Sequence, residues 1–348
     1  MPSPPKYPKG TTVNDRYVLG EKLGSDGSVY EVFDKVLQKR AALKFLHPDA
    51  QGNAQAWDEA QRLEALRSRF LIDVINADVV LSSDIRFIVT PLVDGGDLED
   101  YAAGTGIPLP EVVRYVQQIA GGIDRIHADG MVHRDVKPAN VLLHGDGVFV
   151  SDLQFCEVLD ASGRAGRTGS WCTLAPETAS DDGYCSIASD VYSLGATAFY
   201  LLSGEYPVDH RLPRAEQKVL IGSGKVRELR EVAPHVSQAV GTVIRRALNK
   251  EPGRRFGSAE EFANALSHAA RDTREWRRVL HAGHVHCLEG EPHQGRAAVR
   301  ICCAPASGSV AVSVRQNPSG RRVPGVADVT VDNRQLRTHL QQLVRRLR

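Results

Sequence analysis

Eight residues constrain this chain more than any others: His133-Arg134-Asp135-Val136-Lys137-Pro138-Ala139-Asn140. They crowd two cations, an acid, a histidine and an amide between a segment of helical period and one of strand period. Before them, Val112, Val116, Ile119, Ile123 and Ile126 step by four and three residues, one face of a helix with Pro110 in its first turn and Asp129-Gly130 at its end. After them, Val141 to His144 and Val148 to Ser151 alternate as strands around Gly145-Asp146-Gly147, a hairpin turn. A hairpin returns the chain to where it began, so Asp152 is expected beside Asn140 and Asp135. Two acids, an amide and Lys137 then share one polar pocket. Hard oxygen donors with room for water suit Mg²⁺, which usually arrives with phosphates.

The pocket needs a scaffold on both sides. Upstream lie β-type runs at Tyr17 to Leu23, Ser28 to Asp34 and Arg40 to Phe45, a helix from about Ala54 to Leu66, and strands at Asp78 to Ser82 and Arg86 to Val89. Downstream, Val240, Val243, Ile244, Ala247 and Leu248 form a helical stripe, and Ser258 with Glu261 reads as a capping box. A β-rich part followed by a larger helical part makes an α+β chain of two lobes with a crevice between them.

Composition sets the outer limits. With 348 residues and 42% AVILMFWYC, the chain has ample material for a core and is neither disordered nor collagen-like. The net charge of +1 calls for no polyanion partner, but the charge is unevenly spread. Residues 271–348 hold 14 Arg, no Lys and six acids, a net of +8, which leaves −7 on the rest. This shift predicts a boundary near Ala270. The first ten residues hold four prolines and read as a flexible arm without the apolar core of a secretory signal. The most apolar run, Leu194 to Leu202, falls short of the roughly 20 residues a membrane span requires. Six scattered cysteines fit a reducing compartment, so the expected setting is soluble and cytoplasmic.

The motif His133 to Asn140 resembles the catalytic loop H-R-D-x-K-P-x-N of eukaryotic-like (Hanks-type) Ser/Thr protein kinases of the soluble bacterial type, and Asp152-Leu153-Gln154 takes the place of D-F-G. Other segments follow in order. Ala41-Ala42-Leu43-Lys44 resembles V-A-I-K, with Glu59 in the next helix. Gly169 to Glu177 resembles G-T-x-x-Y-x-A-P-E, Ser189 to Gly195 matches S-D-[VI]-Y-S-L-G, and Pro252 to Phe256 matches P-x-x-R-F. The resemblance runs from about Thr11 to Ala269. It implies a bilobal protein-kinase fold with an N-lobe over about 11–90 and a C-lobe over about 94–270, while the prolines and the charge shift set apart a flexible arm over 1–10 and a small α/β extension over 271–348.

The resemblance also implies roles, which phosphoryl-transfer chemistry makes intelligible. Lys44, positioned by Glu59, would hold the α- and β-phosphates of ATP. Asp152 and Asn140 would bind Mg²⁺. Asp135 would take the hydroxyl proton of a protein substrate, and Lys137, characteristic of Ser/Thr rather than Tyr kinases, would offset charge on the transferring group. Gly24, Gly27, Val29, Ala42, Thr90, Val93 and Asp97 would line the nucleotide site, with Thr90 as gatekeeper, the Val93 N–H as adenine donor and Asp97 near the ribose. Asp190 would brace the catalytic loop, and Glu177 would pair with Arg255.

Two departures bear on activity. The segment Gly24-Ser25-Asp26-Gly27-Ser28-Val29 is two residues shorter than G-x-G-x-x-G-x-V and adds an acid near the phosphates; Gln154 replaces a glycine. The alternative reading is therefore a nucleotide-binding pseudokinase acting as a scaffold. Between Asp152 and Ala175, Thr168 is the expected autophosphorylation site, Ser170 and Thr173 are assigned to substrate docking, and Arg134 resembles the clamp for a phosphorylated loop.

The tail does not match the kinase pattern. Strand-like runs occur at Ala297 to Cys303 and Val310 to Val314, followed by a helix from about Arg334 whose apolar face carries Leu336, Leu340, Leu343, Val344 and Leu347. It reads as an appendage on the large lobe, or as a docking module for an acidic partner such as nucleic acid. His281, His284, His286, Cys287, His293, Cys302 and Cys303 raise the question of zinc. Their spacing lacks a C-x₂-C pair, and adjacent Cys302 and Cys303 are expected on opposite faces of a strand, which argues against it.

Overall fold

The computed structural model describes residues 7–23, 27–46, 66–81, 83, 85–271 and 274–347. Gly24, Asp26, Glu59 and residues 54–65 of the expected helix lie outside the described residues.

The small lobe is an antiparallel sheet of six strands, β1 (Thr12–Val13), β2 (Tyr17–Leu23), β3 (Val29–Asp34), β4 (Lys39–Leu46), β5 (Asn76–Val79) and β6 (Arg86–Pro91), in the order β1-β2-β3-β4-β6-β5. Strand alternation divides its faces. Ala41, Leu43 and Phe45 of β4 are buried with Tyr17, Tyr30 and Phe87, while Ala42 and Lys44 point to the opposite face, toward the large lobe. The expected strand over 78–82 instead occupies Asn76–Val79. The expected arm is docked from Tyr7 onward. Its ring lies 4.7 Å from that of Phe45, and its N–H donates to the Tyr30 hydroxyl at 3.2 Å.

The large lobe is organised by two helices. In Leu109–Ala128, Val112, Val116, Ile119, Ile123 and Ile126 are all fully buried, as their spacing predicts, at about 1.5–3 kcal/mol of hydrophobic stabilisation each. Ile187–Ser203 is buried almost all round, so its apolar run is a core helix. A reciprocal cap between Ser186 and Ser189 starts it, and Gly204 ends it in the left-handed conformation. The box expected at Ser258 is half formed. Ser258 Oγ accepts the Glu261 N–H, but the Glu261 carboxylate turns to the Gly257 N–H instead. At the back of the lobe, Arg255 forms a bidentate pair with Glu177 at 2.6 and 2.7 Å and donates to the carbonyls of Ala188, Asn249 and Lys250.

The extension is richer in strand than its sequence suggests. Trp276–Val279, His286–Gly290, Val299–Ala306, Ser309–Gln316 and Val329–Asp332 form a five-stranded antiparallel meander, and Leu336–Arg346 packs on one face. Three of these strands go beyond the sequence expectation: Trp276–Val279 and Val329–Asp332 are only four residues long, too short for a period to show, and in His286–Gly290 burial on both faces removes the alternation that marks a strand. In His286–Gly290, both Cys287 and Leu288 are buried although they face opposite ways. Many of the arginines are paired within the chain: Arg277 and Arg300 with Glu289, Arg315 with Asp328, and Arg337 with Glu231 of the large lobe. Gln341 and Arg278 also reach the lobe, donating to the carbonyls of Arg230 and Gly104 at 3.0 and 3.3 Å. Among the described residues, no helix is long and apolar enough to cross a membrane.

Candidate active site

The hairpin forms with a tighter turn than expected. Val141–His144 pairs with Gly147–Val150, Val141 opposite Val150, around Gly145-Asp146. Residues 140 and 151 therefore meet at its open end, where the Ser151 N–H and Oγ both donate to Asn140 O at 2.9 and 3.1 Å. Asp152 follows immediately in a left-handed conformation (φ 63°, ψ 50°). For a residue other than glycine this costs on the order of 1–2 kcal/mol, so the surroundings must impose it. Leu153, fully buried in the main core, anchors one side. On the other, Lys44 crosses from the small lobe to ion-pair with Asp152. Gln154 takes the place of the family's glycine within the short 3₁₀ turn Leu153–Phe155.

Asp135 gathers a second set of groups. Its Oδ2 lies 2.9 Å from Lys137 Nζ and accepts Asn140 Nδ2 at 3.0 Å, while Oδ1 accepts the Ser170 N–H at 2.9 Å. Lys137 Nζ also donates to Ser170 Oγ at 2.9 Å. Burial works to raise the Asp135 pKa, but Lys137, Ser170 and His133 together hold it below the ordinary carboxylate value. A buried carboxylate thus stays ionised.

Behind this loop stands Asp190, in the first turn of Ile187–Ser203, where a helix N-terminus favours negative charge. Its carboxylate accepts the His133 N–H at 2.8 Å and the Arg134 N–H at 2.9 Å, and lies 2.9 Å from His127 Nε2. His127 Nδ1 is 3.5 Å from Asp124. Burial alone would lower the His127 pKa; Asp124 and Asp190 outweigh it and raise it to about 9. His127 and Glu157, which ion-pairs with Arg134, are members of this network that the sequence reading missed. His127 is one polar residue at a helix end, and only the folded contact with Asp190 marks it out.

The activation segment crosses directly over the catalytic loop. Gly169 has φ +125°, and a Cβ there would lie 2.7 Å from Arg134 O, so glycine is required. Arg134 donates to Gly166 O at 2.9 Å and to Phe155 O. Thr173 is buried, Thr168 is half-buried and Ser162 is exposed.

The expected nucleotide face is assembled by β-sheet register. Val29 pairs with Lys44, and Ala42 with Thr90. Thr90 and Val93 are half-buried, and Val93 packs against the main core. The connection to the large lobe passes so close to the hairpin that a Cβ on Gly95 would lie 2.4 Å from Leu143 O. Asp97 caps the helix Leu98–Ala102, its Oδ1 accepting the N–H groups of Glu99 and Asp100 at 2.9 and 3.0 Å. Gly27 has φ +73°.

Comparison with known proteins bears on this site. The family model described as "Protein kinase domain" matches residues 16–269. The chain is 34% identical over 195 residues to the serine/threonine-protein kinase PknJ of Mycobacterium bovis, covering 53% of this chain and 32% of that protein. It is 29% identical over 268 residues to PrkC of Bacillus subtilis (73% and 40%), and 31% identical over 280 residues to PksC of Streptomyces coelicolor (73% and 49%), both named serine/threonine-protein kinases. The chain spans from about a third to a half of the length of these relatives.

Proposed function

Because the chain belongs to the protein kinase family, we propose that it transfers the γ-phosphate of ATP to Ser and Thr hydroxyls of protein substrates. The observation that carries this reading is the ionised, buried Asp135, fixed by Lys137, Asn140 and Ser170, in a loop hydrogen-bonded to the hairpin that bears Asp152. Asp135 takes the proton of the attacking hydroxyl. Lys137 reaches both Asp135 and Ser170, so it can follow charge as it moves onto the transferring group. Lys44 orients the α- and β-phosphates.

The donor set fits Mg²⁺. Asn140 Nδ2 is spent on Asp135, which leaves Oδ1 as its free acceptor, and Asp152 supplies carboxylate oxygens. Asn140 and Asp152 would hold Mg²⁺, whose charge would offset that of the β- and γ-phosphates. Thr90, Val93 and Ala42 receive the adenine, with Gly27 and Val29 above the phosphates. Gly24 and Glu59 are given their family roles on sequence alone. Asp97 keeps its place near the ribose while capping its helix.

Regulation follows from Arg134. Its guanidinium is held by Glu157 and the Gly166 carbonyl, two residues from Thr168. Autophosphorylation at Thr168 offers Arg134 a doubly charged partner in place of Glu157. The same reading divides the chain into the arm (1–10), the kinase domain (11–270) and the extension (271–348), and six free thiols fit a cytoplasmic setting. With Arg337 already bound to Glu231, the extension reads as a packed appendage before a dock for a separate acidic partner.

The second reading, a nucleotide-binding scaffold, is favoured by the shortened Gly-rich segment with its Asp26. Radiolabelled ATP given to wild type and Asp135→Asn separates the two. Incorporation in wild type alone supports the kinase, with Thr168 as the modified residue by mass spectrometry. No incorporation in either, with nucleotide still bound, supports the scaffold.

A further inference from the structure

The connection between the first two strands of the extension brings together four side chains that no part of the kinase chemistry uses. His281 to His284 form a tight turn, closed by the His284 N–H donating to His281 O at 3.1 Å, with Gly283 at φ +76°. The turn holds the two imidazoles 5.6 Å apart, centroid to centroid. Three residues on, buried Cys287 stands directly across the sheet from Cys302. One ligand atom from each of His281, His284, Cys287 and Cys302 lies within 4.8 Å of all the others. Two of those separations are 3.1 Å (His284 Nδ1 to Cys287 Sγ) and 3.5 Å (His281 Nδ1 to Cys302 Sγ).

We propose that these four residues bind a tetrahedral zinc ion. Zinc lies about 2.0–2.1 Å from histidine nitrogen and 2.3 Å from sulfur, so ligands on a tetrahedron sit roughly 3.3–3.8 Å apart. The two separations above are close to this. Two thiolates balance the charge of a divalent ion, and sulfur with imidazole selects zinc over Mg²⁺ or Ca²⁺. A pair of thiol–imidazole hydrogen bonds would explain each short contact singly, but not their convergence on one point. Sheet geometry also chooses among the seven His and Cys of the segment. Cys303 and its partner His286 occupy the opposite face, with Cys303 in the apolar core, so the divergence of Cys302 from Cys303 isolates a single ligand instead of breaking the site. No C-x₂-C pair is needed, because the ladder supplies the second thiol from a distant strand.

The ion has a way in: His284 is exposed and, with Cys302, lines a surface cavity of about 330 Å³. Four protein ligands leave no open position, which makes the site structural. It ties the turn to the sheet in a module of modest core. The strand just before the turn carries Trp276 and Arg278, which meet the large lobe, so metal binding also steadies the seat of the extension.

The test uses the full chain, purified under reductant without chelator. Elemental analysis is expected to find one zinc per chain in wild type and in His293→Ala, and little in Cys302→Ser or His284→Ala. Cobalt(II) added to chelator-stripped wild type should give a thiolate charge-transfer absorption, and stripping should lower the melting temperature by several degrees. Since a variant can lose metal by misfolding, the stripped wild type is also titrated with zinc against a chromophoric chelator. Wild type that holds no zinc as purified and takes up none in that titration overturns the proposal. So does a Cys302→Ser protein that keeps its full zinc, or a Cys287–Cys302 disulfide that forms despite the reductant.

Discussion

Asp190 accepts the backbone N–H of Arg134 at 2.9 Å, and Arg134 stands at φ +70°, a conformation that a side chain of its size rarely adopts. A carboxylate rooted in a buried helix thus imposes the turn that presents Asp135. Asp190→Asn removes the charge facing His127 and sets an amide N–H₂ against backbone N–H groups. We expect a loss of about 3 kcal/mol in urea denaturation, with a fall in turnover. Unchanged stability would contradict the bracing role.

Stability should peak near neutral pH, with different histidines behind the two limbs. His127 has a pKa raised to about 9 in the folded protein, so its contribution is complete below its unfolded value near 6.5 and is lost as pH rises through about 9. His235 behaves oppositely. Burial, reinforced by His286 and Arg278, lowers it to about 3, so folding binds it neutral, and stability is lost as pH falls below about 6.5. Denaturation midpoints across pH should show both limbs. His127→Gln should flatten the alkaline limb and leave the acid one, while His235→Gln should reduce the acid limb, which His286, lowered to about 4, shares.

The Arg255 guanidinium is fully buried against Glu177. Arg255→Met leaves the Glu177 carboxylate buried without its partner and should cost about 3–5 kcal/mol. Replacing Glu177 with leucine in the same protein should recover part of that loss. A full double-mutant cycle by chemical denaturation checks the coupling, and additive effects would refute it.

Gly169→Ala puts a methyl group against Arg134 O and strains a φ of +125°. The segment must lift away from the loop, carrying Ser170 from Asp135 and Lys137. A displacement of about 1 Å at such a site can cost on the order of 10²-fold in rate. Steady-state kinetics should show that fall while the unfolding midpoint moves little. Full activity would mean that the Ser170 contacts are dispensable.

Where the sequence was legible and where it was not follows from the range of the interactions. The stripe from Val112 to Ile126, the hairpin after Asn140 and the alternation of β4 are local patterns, and each element appears where its period places it. The convergence of Asp135, Lys137 and Asn140 was readable because six consecutive residues contain it. His127 was not, since its meaning depends on Asp190, 63 positions away. The zinc ligands were discounted for the same reason. Spacing along one strand cannot show that Cys302 faces Cys287 across a ladder, 15 residues apart.

The junction between extension and large lobe encloses a cavity of only about 20 Å³, with Ile107, Leu109, Leu202 and Val236 on one side and Trp276 and Val344 on the other. A fragment cut where the family match stops, after residue 269, would strip Trp276 and Val344 from those four side chains. Such a trimmed protein would carry a greasy scar on its flank and would tend to clump. For this chain, the limits of homology are the wrong place to cut.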